Sequence, residues 1–282
     1  MNLLPEAIHV INLDRSPQRL QAVLDSFDRH LGGSGVALNR FVAIDAAEAE
    51  ALAVPGRLSW SEKACFLSHA RCLEAARVGA RQSHVWIAED DVAFGPQTRQ
   101  RLASALEALQ GRDWDILFTD LFATEPHGMI ELFQLWRRAT RDAEVRLLDL
   151  GKMAFASATS YIVNAGSVDK LLGLYRTCAS LNMGVDIWFK ELAGTGQAGC
   201  CCVVPFATTV ADVQSQIQPG HSSGHLAWWY AFRWLLWEGT DPASLDPLLD
   251  HLERGFADPH AARAGRILGG MLSPRWEPFL RR

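Results

Sequence analysis

The sequence lacks the features that mark several large classes of protein. No apolar run approaches the roughly 20 residues that a membrane-spanning helix needs. Residues 1–20 contain Glu6, Asp14, Arg15 and Arg19, where a secretion signal would carry an uninterrupted apolar centre. The formal net charge of −5 offers no basic surface for a nucleic acid. We therefore expect a globular protein of the cytoplasm that has no nucleic-acid partner.

The six cysteines also lack the spacing of a disulfide framework or of a zinc site. Three are consecutive, at positions 200–202, and no Cys-x-x-Cys motif or histidine pair accompanies Cys65 and Cys72. A chain of 282 residues forms a core large enough to be stable without cross-links. We predict buried, reduced thiols, with a zinc site at Cys65 and Cys72 as the weaker alternative.

Strand and helix patterns alternate along most of the chain, which predicts an α/β fold with a mostly parallel sheet flanked by helices. The opening AIHVINL is an apolar strand that ends near Asp14, and the helix after it begins at Ser16 and Pro17. Ser59 or Ser61 is expected to cap a later helix. Further strand candidates are LNRFVAID, HVWIA, WDILFTDL, ATSYIVN and GCCCVVPFATTV, and further helix candidates are LSWSEKACFLSHARCLEAARVG, TRQRLASALEAL, AGSVDKLLGLYRTC and MGVDIWFKELA.

The character of the sequence changes near Gly220. The segment HLAWWYAFRWLLWEG places Trp228, Trp229, Trp234 and Trp237 within ten residues. Tryptophans at helical spacing are typical of a packing face, and a face for a membrane surface or a partner is the alternative. We predict a main domain over residues 1–219 and a C-terminal helical appendage over residues 220–282.

Four strand candidates end in acidic residues: Asp14, Asp45, the run Glu89-Asp90-Asp91, and Asp120. In open parallel sheets, ligands bind beyond the carboxyl ends of the strands, so these residues are expected to converge. A single Asp after a strand is common in turns, but three adjacent carboxylates repel one another unless a cation compensates. A bound Mg²⁺ or Mn²⁺ would do so, because both ions prefer oxygen ligands. A solvated turn is the alternative.

The sequence contains neither a G-x-G-x-x-G motif nor a GxxxxGK[ST] loop. A phosphorylated ligand would therefore be held by a metal ion and by arginines rather than by a glycine-rich loop. Arg15 and Arg19, on the first strand-to-helix turn, suit that task, although surface charges near a helix start are an equal alternative.

Five segments in register resemble glycosyltransferase family 25, the bacterial lipooligosaccharide glycosyltransferases, which are similar to the procollagen galactosyltransferases. They are IHVINLDRSPQRL, ACFLSHARCLEAA, WIAEDDVAF, ATSYIVNAGSVDKLL and VDIWF. The resemblance covers about residues 8–205. It implies a GT-A-like, Rossmann-type fold and an inverting enzyme that uses a UDP-sugar, usually UDP-galactose, with Mn²⁺ or Mg²⁺ as cofactor. A glycan or lipid-linked glycan would be the acceptor. The Trp-rich tail leaves peripheral contact with the inner face of the membrane open as an alternative.

The resemblance also implies roles for individual residues. Asp91 would bind the metal, with Glu89 beside it. Asp186 matches the Asp of the family's late Val-Asp motif. Because Asp186 lies apart from the acidic run, we expect it to be the general base that activates the acceptor hydroxyl for a single displacement, with Asp90 and Asp120 as alternative bases; a charge that stabilises the start of a helix is the other interpretation of Asp186. The residues beside the nucleotide sugar would be Asn12, Arg15, Arg19, Asp45, Ser68 and His69.

One motif departs from the family pattern Gly-Glu-x-Gly-Cys. The chain has SEKAC there, so that Ser61 and Ala64 replace both glycines while Glu62 and Cys65 remain. This change puts a close approach of the backbone to the ligand in doubt. The altered segment keeps one alternative open, a non-catalytic nucleotide-binding relative. A metal-dependent phosphate-ester hydrolase or nucleotidyltransferase is a second alternative, because acidic strand ends with Mg²⁺ would serve that chemistry too.

Overall fold

The computed structural model describes residues 3–79, 83–211 and 232–237. Within them the strands are β1 (Ala7–Asn12), β2 (Ala37–Val42), β3 (Val85–Glu89), β4 (Val92–Phe94), β5 (Ile116–Phe118), β6 (Phe122–Ala123), β7 (Arg146–Asp149), β8 (Phe155–Ala156), β9 (Ser160–Val163), β10 (Cys200–Val204) and β11 (Thr208–Val210). The helices are α1 (Pro17–Leu31), α2 (Ala46–Ala51), α3 (Trp60–Gly79), α4 (Thr98–Ala108), α5 (Pro126–Asp142), α6 (Val168–Thr177) and α7 (Val185–Gly194), with a 3-10 turn at Ala165–Ser167 and a helical segment at 232–237.

The main sheet in this part of the chain has seven strands in the order β2-β1-β3-β9-β5-β10-β7. Strands β2, β1 and β3 are mutually parallel, as are β5 and β10. Strand β9 runs antiparallel between β3 and β5, so those two strands point the same way, and β7 is antiparallel at one edge. The sheet is therefore mostly parallel and carries helices on its faces, which confirms the predicted α/β, Rossmann-like fold.

The first helix shows how local sequence sets this architecture. Proline occupies the first helical position, where its missing N–H is not needed, and Val23, Phe27 and Leu31 are buried at helical spacing. The helix stops at Gly32, where a Cβ atom would collide with the carbonyl oxygen of Asp28. Only glycine fits this position without a shift of the backbone. The end of α1 is thereby fixed at Gly32.

The central strands send alternate side chains to two separate cores, as the two-residue period of a strand requires. In β5, Ile116 and Phe118 join the larger cluster on one face, and Leu117 joins the cluster on the other. In β9, Tyr161 and Ile162 divide in the same way. A sheet that is buried on both faces leaves its strand ends as the places where polar chemistry can reach solvent.

The helical segment 232–237 packs into the larger core. Phe232, Leu235 and Leu236 are buried there, whereas Trp234 is 40% exposed. The rest of the predicted appendage (220–282), including Trp228 and Trp229, lies outside the described residues, so the domain division stays a prediction. Among the residues described, no helix combines the length and the hydropathy that crossing a membrane requires.

Candidate active site

A pocket lies at the carboxyl ends of β1, β2 and β3, beside the start of α3. This is the edge of the sheet at which the sequence predicted convergence. The pocket is lined by eight of the ten predicted site residues: Arg15, Arg19, Asp45, Ser68, His69, Glu89, Asp90 and Asp91. The other two are neighbours of it, because Asn12 bonds to Asp90 and Asp186 lies within electrostatic range of Glu89.

Asp90 is held on both of its carboxylate oxygens. Asn12, the last residue of β1, donates from Nδ2 to Oδ2 over 2.7 Å. Arg19, in the first turn of α1, donates from Nε to Oδ1 over 2.7 Å, and its Nη2 lies 2.6 Å from the same oxygen. Asp90 therefore orients Arg19, and neither of its oxygens lacks a partner.

Asp91 is held on one side only. Its Oδ2 lies 3.2 Å from Nη2 of Arg19, whereas its Oδ1 is buried and has no hydrogen-bond partner among the residues that the structure describes. Burial, reinforced by the charge of Glu89, raises the pKa of Asp91 to about 7 against the opposing charge of Arg19. A buried carboxylate oxygen without a partner is costly, and such groups cluster at functional sites.

Glu89, the last residue of β3, takes part in a hydrogen-bonded chain with His69 and Tyr161. Nε2 of His69 donates to Oε1 of Glu89 over 3.0 Å, and Nδ1 of His69 is 2.9 Å from the hydroxyl of Tyr161. Burial opposes ionisation of Glu89, but the bond from His69 and the positive charges of Arg19 and Arg233 together outweigh it and lower the pKa of the carboxyl group. Glu89 is thus ionised and fixed in orientation, and His69 acts on the site through it.

Two sets of donor atoms in the described residues could hold a metal. Cys65, His69 and Glu89 place one ligand atom each within 4.8 Å of one another. However, burial and the charge of Glu89 raise the pKa of the Cys65 thiol well above its usual value, and His69 is already bonded on both nitrogens. The carboxylates of Asp91 and Glu89 are the oxygen donors that Mn²⁺ and Mg²⁺ prefer. The unpartnered oxygen of Asp91 makes this second set the better fit.

Ser68 and Asp45 have their side chains committed to the protein. The hydroxyl of Ser68 donates to the carbonyl of Ala64 over 2.7 Å and accepts the N–H of Ile44 at 2.9 Å. Asp45 caps α2 and accepts the N–H of Glu48 at 2.8 Å. Both residues shape the wall of the pocket, and their contact with a ligand stays a prediction.

Arg15 differs from Arg19 in its contacts with the rest of the protein. It is exposed, it lines the pocket, and it makes no hydrogen bond or ion pair with any of the described residues. Arg19 is instead bound to Asp90 and Asp91. Part of the repulsion within the acidic run is therefore relieved by Arg19 itself, which the sequence analysis assigned to a ligand.

Asp186 lies in the first turn of α7, half-buried, and its Oδ1 accepts the N–H of Ile187 at 2.8 Å. Burial, together with the charge of Glu89, raises the pKa of Asp186. Gly184 allows this arrangement, since a Cβ atom there would lie 2.7 Å from Oδ1 of Asp186. Asp186 is thus a carboxyl group with raised proton affinity near the acidic run and separate from it.

The SEKAC segment has a structural role as well. Ser59 and Glu62 cap the start of α3 reciprocally, because the N–H of Ser59 donates to Oε2 of Glu62 over 2.9 Å and the N–H of Glu62 reaches Oγ of Ser59 over 3.3 Å. Ser61 and Ala64, at the positions of the two family glycines, line the pocket. Their side chains occupy space that glycine would leave open.

The ion pair between Asp120 and Arg233 was not predicted from the sequence. Asp120 follows β5, has no exposed surface, and receives Nε and Nη2 of Arg233 on Oδ2 at 3.0 and 2.6 Å. Because it is buried and paired, Asp120 does not fit the role of general base that was considered for it. The strand-end Asp was visible in the sequence, but nothing in the Trp-rich segment singled out Arg233 as its partner.

The family of the chain follows from comparison with known proteins. The model of glycosyltransferase family 25 (LPS biosynthesis protein) matches residues 6–188. A protein of Aedes aegypti named "Glycosyltransferase 25 family member" is 28% identical over 128 residues, which are 39% of this chain and 20% of the mosquito protein. The family match covers more than half of the chain and spans the pocket from β1 to α7. The chain therefore belongs to glycosyltransferase family 25, and its match spans about a fifth of the length of the curated relative.

Proposed function

We propose that the chain is a metal-dependent, inverting glycosyltransferase that moves a hexose, galactose in the first instance, from a UDP-sugar to a hydroxyl of a glycan acceptor. The family match supports sugar transfer. The observation that carries the metal and the nucleotide is the acidic pocket itself, in which a buried oxygen of Asp91 lacks a partner while the exposed Arg15 shares the same wall. One group suits a cation and the other a phosphate.

Asp91 and Glu89 would hold the metal, Mn²⁺ or Mg²⁺. A divalent ion bound there supplies Lewis-acid stabilisation of the negative charge that develops on a diphosphate leaving group. The protein contributes the fixed orientation of both carboxylates, Glu89 through His69 and Asp91 through Arg19. Asp90, with both oxygens bonded, holds Arg19 in place rather than taking part in proton transfer.

Arg15 binds the diphosphate in this proposal, because a guanidinium that is free of protein carboxylates can pair with phosphate oxygens. Asp186 accepts the proton of the acceptor hydroxyl as that oxygen attacks the anomeric carbon from the face opposite to the diphosphate. A raised pKa suits this role, since a general base works best when its pKa approaches the working pH. Asn12, Asp45, Ser68 and His69 position these groups.

The acceptor is proposed from the family description, which names LPS biosynthesis. A lipooligosaccharide or another lipid-linked glycan would then be presented at the inner face of the membrane, with the enzyme on the cytoplasmic side. Fractionation of cells that express the chain, with and without a salt wash, tests the location. Recovery only from an extracytoplasmic fraction would contradict it.

The function is tested with purified protein, a panel of UDP-hexoses and a lipooligosaccharide acceptor. We expect UDP release that depends on the acceptor, that is fastest with UDP-galactose, and that EDTA abolishes and Mn²⁺ restores. The anomeric configuration of the product, measured by NMR, should be the inverse of the donor. Hydrolysis of simple phosphate esters without transfer would favour a hydrolase, and absence of both nucleotide binding and turnover would favour a non-catalytic protein.

A further inference from the structure

The helical segment 232–237 lies outside the residues that match the family, yet it is bonded to the strands behind the acidic run. The N–H of Phe206 donates to the carbonyl of Leu236 over 2.9 Å, and Nε1 of Trp234 donates to the carbonyl of Val210 over 3.2 Å. The N–H of Ala211, one residue further along, donates to the carbonyl of Asp91 over 2.7 Å. The segment is thus connected to the site through β11.

Arg233 brings the charge of this segment to the same edge of the sheet. Its side chain is 6% exposed, and its guanidinium bonds to Oδ2 of Asp120, whose side chain has no exposed surface. Asp120 follows β5, and Glu89 ends β3, with β9 between these two strands. Since neighbouring strands lie about 4.8 Å apart, Asp120 and Glu89 are on the order of 10 Å from each other.

At that distance the charges act on one another through protein rather than through water. Salt screens buried charges far less than exposed ones. The buried pair of Asp120 and Arg233 is therefore close enough for its charges to act on the carboxylate at the end of β3. The other oxygen of Asp120, Oδ1, is buried without a partner, so the pair is not a fully satisfied structural bridge.

We propose that Asp120 and Arg233 form a buried positioning pair that sets the electrostatic potential of the proposed metal and diphosphate site, so that a residue beyond the family match tunes cation binding. The inference rests on the proposed function, because it assumes that the pocket binds a cation and a nucleotide. Arg233 acts through the field at Glu89 and Asp91 and does not touch the reactants.

The test uses two probes of opposite charge on the full chain, Mn²⁺ alone and UDP without metal, each titrated by calorimetry. Asp120→Asn leaves the charge of Arg233 unbalanced, so we expect Mn²⁺ to bind about fivefold more weakly and UDP about threefold more tightly. Asp120→Asn/Arg233→Met removes both charges, and its affinities should lie within twofold of wild type. Asp115→Asn makes the same substitution at the other end of β5 and should leave both affinities unchanged.

If the pair had only a structural role, the substitution would not change the affinities for Mn²⁺ and UDP in opposite directions. If Asp120→Asn weakens both probes together, or changes neither, the inference is overturned. If that variant does not fold, as judged by its melting transition, Asp120→Asn/Arg233→Lys carries the same added charge on a different side chain and must show the same two signs. Wild-type protein that binds neither probe would overturn the proposed function, and this inference with it.

Discussion

Buried carboxylates at the two ends of the central sheet differ in their hydrogen bonding and in the direction of their pKa shifts. At the amino end of β5, Asp115 accepts hydrogen bonds from Lys170 at 2.6 Å and from the N–H of Gly199 at 2.7 Å. Burial opposes ionisation there, but these bonds prevail and lower the pKa of Asp115. At the carboxyl end, Asp91 keeps an unpartnered oxygen, and burial with the charge of Glu89 raises its pKa to about 7.

Asp115 is therefore a carboxylate that stabilises the fold, whereas the burial of Asp91 costs folding free energy. Nearly all buried polar groups in folded proteins find a partner, so each exception calls for an explanation. Asp115 has its partners within the chain, whereas the partner of Asp91 is proposed to arrive with the ligand. The same substitution at the two positions should therefore have opposite consequences for activity and for stability.

The largest expected effect is that of Asp91→Asn on transfer. We expect the rate of sugar transfer to fall at least about 100-fold and Mn²⁺ binding to disappear, because the amide supplies no negative charge to the cation. UDP release and Mn²⁺ calorimetry measure the two effects. Asp115→Asn is the matched control and should keep transfer within twofold of wild type; equal losses in both variants would erase the functional difference between the two ends.

Asp186→Asn should give the next largest effect. The amide cannot accept a proton, so we expect kcat to fall about 100-fold or more, as is usual when a general base is removed. The affinities for Mn²⁺ and for metal-free UDP should stay unchanged, since neither ligand is assigned to Asp186. A variant that loses donor affinity while it keeps kcat would place Asp186 among the binding residues instead.

Asp115→Asn should lower the stability of the fold, whereas Asp91→Asn should not. The loss of the charge leaves the Lys170 ammonium without its ion pair and weakens the bond to Gly199, at an expected cost of about 1–2 kcal/mol in the free energy of unfolding. Urea unfolding measures the change. Lys170→Met should cost less, because Gly199 keeps its acceptor; a larger loss in that variant would contradict this account of Asp115.

The smallest effect concerns pH. The pKa of Asp91 is about 7 in the folded chain and near 4 when unfolded, so the fold favours the protonated form, and wild-type stability falls as pH rises between these two values. The amide that Asp91→Asn introduces has no proton to lose. The melting temperature of the variant, measured without metal, should therefore match that of wild type near pH 4. The difference in melting temperature should grow in favour of the variant up to about pH 7 and stay constant above that pH. A difference in melting temperature that does not change with pH would contradict the raised pKa of Asp91.

The sequence allowed the local elements and the acidic edge of the sheet to be predicted, because both depend on short-range patterns. The apolar run that ends at Glu89 marked a buried strand, and parallel strands deliver their carboxyl ends to one edge. Helix α5 was missed although its signal was present: Met129, Leu132, Phe133 and Trp136 are buried at helical spacing. The antiparallel entry of β9 between β3 and β5 has no local signal, since strand order depends on the whole sheet.

The ion pairs of the site could not be predicted from the sequence. Arg19 and Asp90 are 71 residues apart, and Arg233 and Asp120 are 113 apart, so no spacing rule connects them. The sequence indicated that three adjacent carboxylates need positive charge, but it could not divide that charge between Arg19 and a ligand. Only the geometry shows that Asp90 is satisfied and that one oxygen of Asp91 is not.

The position of β10 within the sheet has a practical consequence for anyone who shortens this protein. The family match stops at residue 188, yet β10 comes later in the chain and lies between β5 and β7. Further on, Arg101 donates to the carbonyl of Trp237, whose ring lies so close to Gly95 that a Cβ atom there would be 2.6 Å from it. A version trimmed to the matched residues would lose an interior strand of the sheet and the contacts that Trp237 makes with Arg101 and Gly95, so a shortened chain that keeps these contacts has to reach residue 237.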